Sequence, residues 1–251
     1  MISKSKIKQI HSLELKKNRK SENVFVAEGP KVVGDLLENR QAQTIVATQE
    51  WLHGRSFNSS TEVIEVTEDE LRKVSFLQHP QQVLAVFPQI SEAGNIEFNP
   101  EELYLALDGV QDPGNLGTII RIADWFGISN IFCSQDTADV YNPKVVQATM
   151  GSIARVNLHY CDLNQLFDGI PEDTPVYGTL LDGENIYSQE LSSHGIIVMG
   201  NEGKGITPAI RNRVNHKLLI PNYPEGRKTA DSLNVAIATA ITCSEFRRNG
   251  N

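Results

Sequence analysis

Leu103-Tyr104-Leu105-Ala106-Leu107-Asp108-Gly109-Val110-Gln111-Asp112-Pro113-Gly114-Asn115-Leu116-Gly117-Thr118-Ile119-Ile120-Arg121-Ile122-Ala123-Asp124-Trp125-Phe126-Gly127 is the stretch that decides the fold. Its first six residues are almost continuously apolar, the pattern of a strand buried on both faces. A turn with two glycines and a proline follows, and then a helical period over Leu116–Phe126. Asn115 is placed to cap that helix and Gly127 to stop it. Ile119, Ile120, Ala123 and Phe126 form the predicted buried stripe, while Thr118, Arg121 and Trp125 share another face. A strand, a turn and a helix in this order are the repeating unit of a parallel sheet.

The same alternation continues on both sides. Further strands are predicted at Asn130–Ser134, Val176–Leu181, Ile196–Gly200 and Lys217–Ile220, with helices at Lys144–Met150, Pro208–Asn212 and Ser232–Arg248. Residues 101–251 therefore read as an α/β domain with a mostly parallel sheet covered by helices on both faces. In such sheets, ligands sit beyond the carboxyl ends of the strands. Upstream, the proline-flanked stretch Pro88–Pro100 reads as a linker, with residues 91–100 as the boundary. Residues 1–90 read as a small α/β domain. It has a basic helix at about 5–18, strands at Val24–Ala27, Thr44–Thr48, Glu62–Val66 and Val83–Phe87, and helices at Lys31–Asn39 and Asp69–Ser75.

A chain of 251 residues, 40% hydrophobic and 22% charged, has the composition of about two globular domains and excludes disordered and fibrous classes. No apolar run approaches the roughly 20 residues that cross a bilayer; Ile196-Ile197-Val198-Met199 is strand-sized. The basic start Met1–Lys6 has no apolar stretch behind it, unlike a secretory signal. Cys133, Cys161 and Cys243 are far apart with no C-x-x-C pair, which predicts free thiols in a reducing, cytoplasmic setting. The six histidines form no H-x-x-x-H pair, so no metal site is expected. Charge is unevenly spread. Residues 1–20 hold seven Lys or Arg against Glu14 alone, net +6, so the remaining 231 residues hold -14 of an overall -8. A basic arm on an acidic body is a signal for a polyanionic partner, although a solvated helix face would look the same.

Three turns after predicted strands carry the chemistry. In the first, Arg121 leans back toward the glycine turn and the helix N-terminus, where it either meets an anion or is an ordinary surface arginine. In the second, Gly200-Asn201-Glu202-Gly203-Lys204-Gly205-Ile206 lets backbone amides approach a ligand. It is not a Walker loop, because Val198 stands where the first glycine belongs. Glu202 there either supports a cation or a ligand hydroxyl or is simply solvated. The third runs from Ile220-Pro221 to Ser232-Leu233-Asn234, in which Ser232 or Asp231 is placed to cap the last helix. Asn234, polar among apolar neighbours, needs partners if buried. No G-x-G-x-x-G or G-x-S-x-G signature competes.

Taken together, Asn115–Gly127, Val198–Ile206 and Ile220-Pro221 followed by Ser232-Leu233-Asn234-Val235-Ala236 resemble the three motifs of the SpoU (TrmH) family of RNA ribose 2′-O-methyltransferases in the SPOUT superfamily. Phe25-Val26-Ala27-Glu28-Gly29-Pro30-Lys31-Val32-Val33 resembles the family's N-terminal substrate (RNA)-binding domain. Here Tyr223–Asp231 lengthens the link to the Ser-Leu-Asn segment, and Asn222 replaces a methionine. The resemblance implies a deep trefoil knot in the C-terminal domain and an obligate homodimer. It implies S-adenosylmethionine bound near Leu180, Gly200, Ile220, Ser232 and Leu233. It implies methyl transfer by a site of Arg121, Asn115, Glu202, Ser232 and Asn234, on ribosomal RNA in preference to transfer RNA, which stays open. An RNA-binding or ribosome-assembly factor on the same scaffold, without methyl transfer, is the open alternative.

Overall fold

The computed structural model describes residues 2–90, 98–224, 227 and 230–248. The chain forms two compact units, residues 1–91 with Asp139–Ala154, and residues 92–138 with Arg155–Asn251.

In the first unit the helices α1 (Lys4–Ser12) and α2 (Lys16–Glu22) lead to β1 (Val24–Glu28), α3 (Pro30–Asn39), β2 (Thr44–Ala47), the single turn α4 (Gln49–Leu52), β3 (Glu62–Glu65), α5 (Glu68–Val74) and β4 (Val83–Pro88). The sheet order is β1-β4-β2-β3, antiparallel except for the β2–β3 pair. Its core joins Ile10, Leu13, Val24, Val26, Val46, Leu71, Val74 and Leu84. The single basic helix expected at about 5–18 is in fact two helices. The chain breaks after Ser12 because buried Leu13 turns into the core and the orphan carbonyls of the helix end find side-chain donors. Arg19 donates to the carbonyls of Leu13 at 2.7 Å and Glu14 at 2.6 Å, and Asn18 donates to that of Ser12 at 2.8 Å. Arg19 is only 2% exposed, and its other terminal nitrogen meets Asp139 at 2.6 Å. One of the cations counted in the basic arm is therefore structural.

The second unit is built on β5 (Leu103–Asp108), α6 (Pro113–Trp125), β6 (Asn130–Cys133), β7 (Asn157–Tyr160), α8 (Leu163–Gly169), β8 (Val176–Asn185), β9 (Gly195–Gly200), α9 (Pro208–Arg211), β10 (His216–Leu219) and α10 (Val235–Arg248); α7 (Pro143–Ala148), between β6 and β7 in sequence, packs in the first unit. Six strands in the order β10-β8-β9-β5-β6-β7 form a wholly parallel sheet. On one face Tyr104, Ala106, Ile196 and Val198 pack with Leu163 and Phe167 of α8 and Ile210 of α9. The alternate residues point to the other face, where α10 packs on β9 and α6. The α/β architecture expected from the sequence is the one observed.

Several local expectations need correction. Asp112, not Asn115, caps α6: its Oδ1 accepts from the Asn115 backbone at 2.8 Å, with Pro113 as first helical residue. Gly127 does follow the helix with a φ of 67°. Phe126 is only half-buried, unlike Ile119, Ile120 and Ala123. The last helix begins at Val235 rather than Ser232. Its cap is Asn234, whose Oδ1 accepts from Ala236 and Ile237 at 3.0 and 3.2 Å. β7, α4 and α8 were not foreseen. The centre of the linker (residues 91–97) and Glu225, Gly226, Lys228 and Thr229 of the lengthened segment lie outside the described residues.

Candidate active site

The carboxyl ends of β5 and β9 are adjacent, with Asp108 registered against Gly200. The turns that leave them are tied together by side chains. Buried Asp108 accepts from the Thr207 backbone at 2.6 Å through Oδ2. Asn201 donates from Nδ2 to the Gly109 carbonyl at 2.7 Å, and its Oδ1 accepts from the backbones of Gly203 and Lys204. The turn closes on itself through paired backbone bonds between Asn201 and Gly205. Gly200 is required where it stands: a Cβ there would lie 2.3 Å from the Gly205 carbonyl carbon. Asp108 and Asn201 were not singled out from the sequence. The signal was available in Asn201, an Asx residue within a glycine turn.

The third turn reaches the same place. Asn115 donates from Nδ2 to Glu202 Oε1 at 2.9 Å, and its Oδ1 accepts from Asn234 Nδ2, also at 2.9 Å. A chain of three polar side chains thus connects the turn after β9, the head of α6 and the head of α10. It joins three of the five residues predicted for chemistry. Arg121 lies on the exposed face of α6 and makes no hydrogen bond or ion pair among the described residues. Ser232 is exposed, with its hydroxyl equally unengaged.

In the same sheet the pairing of β8 is interrupted. The β8–β9 ladder ends at Gly178 and Val198, and the β8–β10 register jumps from the pair Gly178–Lys217 to the pair Glu184–Leu218. Thr179–Gly183 therefore bulges between the two stretches paired with β10 and runs past the end of the ladder with β9, while Gly200 stays paired with Asp108 of β5. Leu180 and Ile220 are half-buried, Leu181 and Leu233 largely exposed. Backbone donors and acceptors flanked by incompletely buried aliphatic side chains fit a purine nucleoside. That is the nucleoside part of S-adenosylmethionine, so the residues present fit that group.

The buried thiols are poor nucleophiles. Burial pushes the Cys243 thiol up to about 12 and the Cys133 thiol higher still, so neither supplies a thiolate nucleophile. Among the described residues no group of three His, Cys, Asp or Glu could hold a metal, and no helix is long and apolar enough to cross a membrane.

Comparison with known proteins bears on the family and the fold. The SpoU rRNA Methylase family matches residues 102–244, and the MRM3-like substrate binding domain matches residues 4–85. The chain is 31% identical over 245 residues, 96% of each chain, to the 23S rRNA (guanosine(2553)-2′-O)-methyltransferase RlmP of Bacillus subtilis. A TrmH-family protein from Porphyromonas gingivalis superposes with a TM-score of 0.89 at 41% identity, covering 100% of both chains. An AdoMet-bound rRNA methyltransferase from Sinorhizobium meliloti superposes with a TM-score of 0.85 at 32% identity, covering 100% of this chain and 97% of that one. A parallel sheet whose strand-end turns converge on one polar relay, and a match across both units, lead to one conclusion: the chain belongs to the SpoU rRNA methylase family.

Proposed function

We propose that this protein is an S-adenosylmethionine-dependent methyltransferase that modifies a ribose 2′-hydroxyl of ribosomal RNA. The observation that carries the reading is the Glu202–Asn115–Asn234 relay, which ties three strand-end turns to one another. When bound, S-adenosylmethionine supplies a sulfonium methyl group, already an electrophile. The work left to the chain is to align a ribose oxygen with it and to manage the charge that develops there.

Arg121 is the residue for that charge. A guanidinium stays protonated at neutral pH, so it acts as a fixed cation rather than a base. No carboxylate among the described residues neutralises Arg121, which leaves its donors for the phosphate beside the target ribose and for the nascent alkoxide. Asn115, Glu202 and Asn234 position the turns, and the Ser232 hydroxyl is free to contact the ribose. Leu180, Gly200, Ile220, Ser232 and Leu233 border the crevice proposed for the nucleoside. We also read the C-terminal region as a trefoil knot: β10 lies at the sheet edge, yet the chain beyond it returns to Asn115 through Asn234. A homodimer is the proposed assembly, supported by Trp125 and Ile237, 84% and 53% exposed on the packed pair α6 and α10.

Titration calorimetry with S-adenosylmethionine tests the reading. A methyltransferase gives saturable binding heat in the micromolar range and label transfer to unmodified ribosomal RNA. RNA binding without either would favour an assembly factor.

A further inference from the structure

The first unit contains a cavity of about 370 Å³ that methyl transfer does not use. Its walls come from the end of α3 and from the segment between α4 and β3, and include Arg40, Gln41, Arg55, Phe57, Asn58 and Thr61. Two cations thus face one space. Neither Arg40 nor Arg55 has an ion-pair partner among the described residues, and Glu62 on the adjoining strand is taken by Lys6 Nζ at 2.6 Å. Arg40 Nε is buried with no acceptor, a state that protein interiors rarely tolerate.

The second guanidinium is held in place. Arg55 Nε donates to the Trp51 carbonyl at 2.9 Å, and its guanidinium carbon lies 4.4 Å from the Trp51 ring centroid. That ring stacks on Phe57 at 5.9 Å with an interplanar angle of 11°. The rim is braced as well: Gln41 and Asn58 both hydrogen-bond Ser60, and Thr61 Oγ1 donates to the Ala42 carbonyl at 2.8 Å. Two guanidinium groups lining one cavity with no carboxylate partner, one of them fixed on Trp51, ask for an anion with several acceptor oxygens, which is the geometry of a phosphate.

We infer that this cavity is a phosphate-binding site. With the RNA substrate of the proposed function, which this assignment of the source rests on, the phosphate is one of the RNA backbone away from the reacting ribose. The half-buried ring of Phe57 and the amides of Gln41 and Asn58 then border an unstacked nucleotide, as in single-strand recognition.

The test compares the full-length parent with Arg40→Gln/Arg55→Gln and Arg40→Lys/Arg55→Lys double variants. Affinity for a 23S rRNA fragment is measured across a salt series, and thermal stability across inorganic phosphate concentrations. At 0.15 M salt the Gln variant binds the fragment about 10-fold more weakly, and its salt slope falls by roughly 0.7 for each lost phosphate contact. The Lys variant keeps most of the affinity, and phosphate stabilises the parent but not the Gln variant. In ¹⁵N-labelled parent, the Nε–H resonances of Arg40 and Arg55 shift with added phosphate, a readout that needs no variant to fold. Resonance shifts with unchanged RNA affinity would keep the phosphate site and assign it to a small phosphate compound. A parent that transfers no methyl group yet shows the shifts would sink the enzyme reading and leave the site. Unmoved resonances with equal RNA affinity and salt slope would overturn the site itself.

Discussion

Asn234, the cap of the last helix, donates from Nδ2 to Oδ1 of Asn115 at 2.9 Å across 119 positions of sequence. Its own Oδ1 meanwhile accepts from the first backbone amides of α10. One side chain therefore both starts a helix and closes the relay to Glu202.

These two duties separate in Asn234→Asp. An aspartate still caps a helix, and its charge suits the helix N-terminus, but it cannot donate to Asn115. The variant is expected to keep its melting temperature within about 1 °C, a shift that for a chain of this size corresponds to roughly 0.5 kcal/mol or less. Methyl transfer should drop by about 10-fold, the value of one lost hydrogen bond. Asn234→Ala should lose the cap too, at about 1 kcal/mol. Full activity in Asn234→Asp would show that the relay is only structural.

Arg19 is the buried tie between α2, the end of α1 and Asp139. Arg19→Met fills similar space but leaves two carbonyls and a carboxylate without their donor. Urea unfolding should show a loss of about 3 kcal/mol, the scale for breaking a buried pair from one side. Asp139→Asn, which still offers an acceptor, should lose much less. A midpoint unchanged in Arg19→Met would contradict the tie.

Glu28 sits buried at the end of β1, with Ser75 Oγ and the Phe76 backbone donating to its carboxyl. Burial raises its pKa above the usual 4.5, and outweighs those hydrogen bonds and the charge of His11, which act the other way. The folded state then holds a proton that the unfolded state has released. This contribution to stability is full at low pH, falls as pH rises from about 4.5 through the higher folded value, and is flat beyond. Glu28→Gln should lack that decline when unfolding free energies are measured from pH 4 to 8. Parallel curves for the two proteins would refute the raised value.

The exposed Trp125 predicts assembly. Trp125→Glu should shift the protein from dimer to monomer in sedimentation velocity, because a charge replaces a large apolar contact at the proposed interface. A monomeric parent would dispose of the dimer.

How far the sequence could be read depended on what each element buries. β5 and β9 were legible because both faces of a central parallel strand are covered, which leaves an unbroken apolar run. β7 was not: Asn157-Leu158-His159-Tyr160 is an edge strand half in solvent, and its polar residues hide it. The split at Leu13–Leu15 was invisible because lysines and leucines sustain a helical period. The side chains of Arg19 and Asn18, reaching back, satisfy the carbonyls that the break leaves. Likewise nothing local marks Asp139–Ala154 as packing with the first unit. Among the candidate site residues, the glycine turns stood out by residue type, whereas Arg121 was marked by the resemblance to the family's first motif. Asp108 and Asn201 did not stand out, because their roles are long-range bonds to backbone groups.

The most direct measurement is ribose mapping. Unmodified 23S rRNA is incubated with S-adenosylmethionine and either the parent or Arg121→Ala, and alkaline hydrolysis is read at single-nucleotide resolution. A 2′-O-methyl group removes the hydroxyl that cleaves the adjacent phosphodiester. The parent should therefore produce one protected position, and Arg121→Ala should form it at least about 100-fold more slowly with S-adenosylmethionine affinity nearly unchanged. A methyl group found on a base, or equal rates in both proteins, would contradict the account.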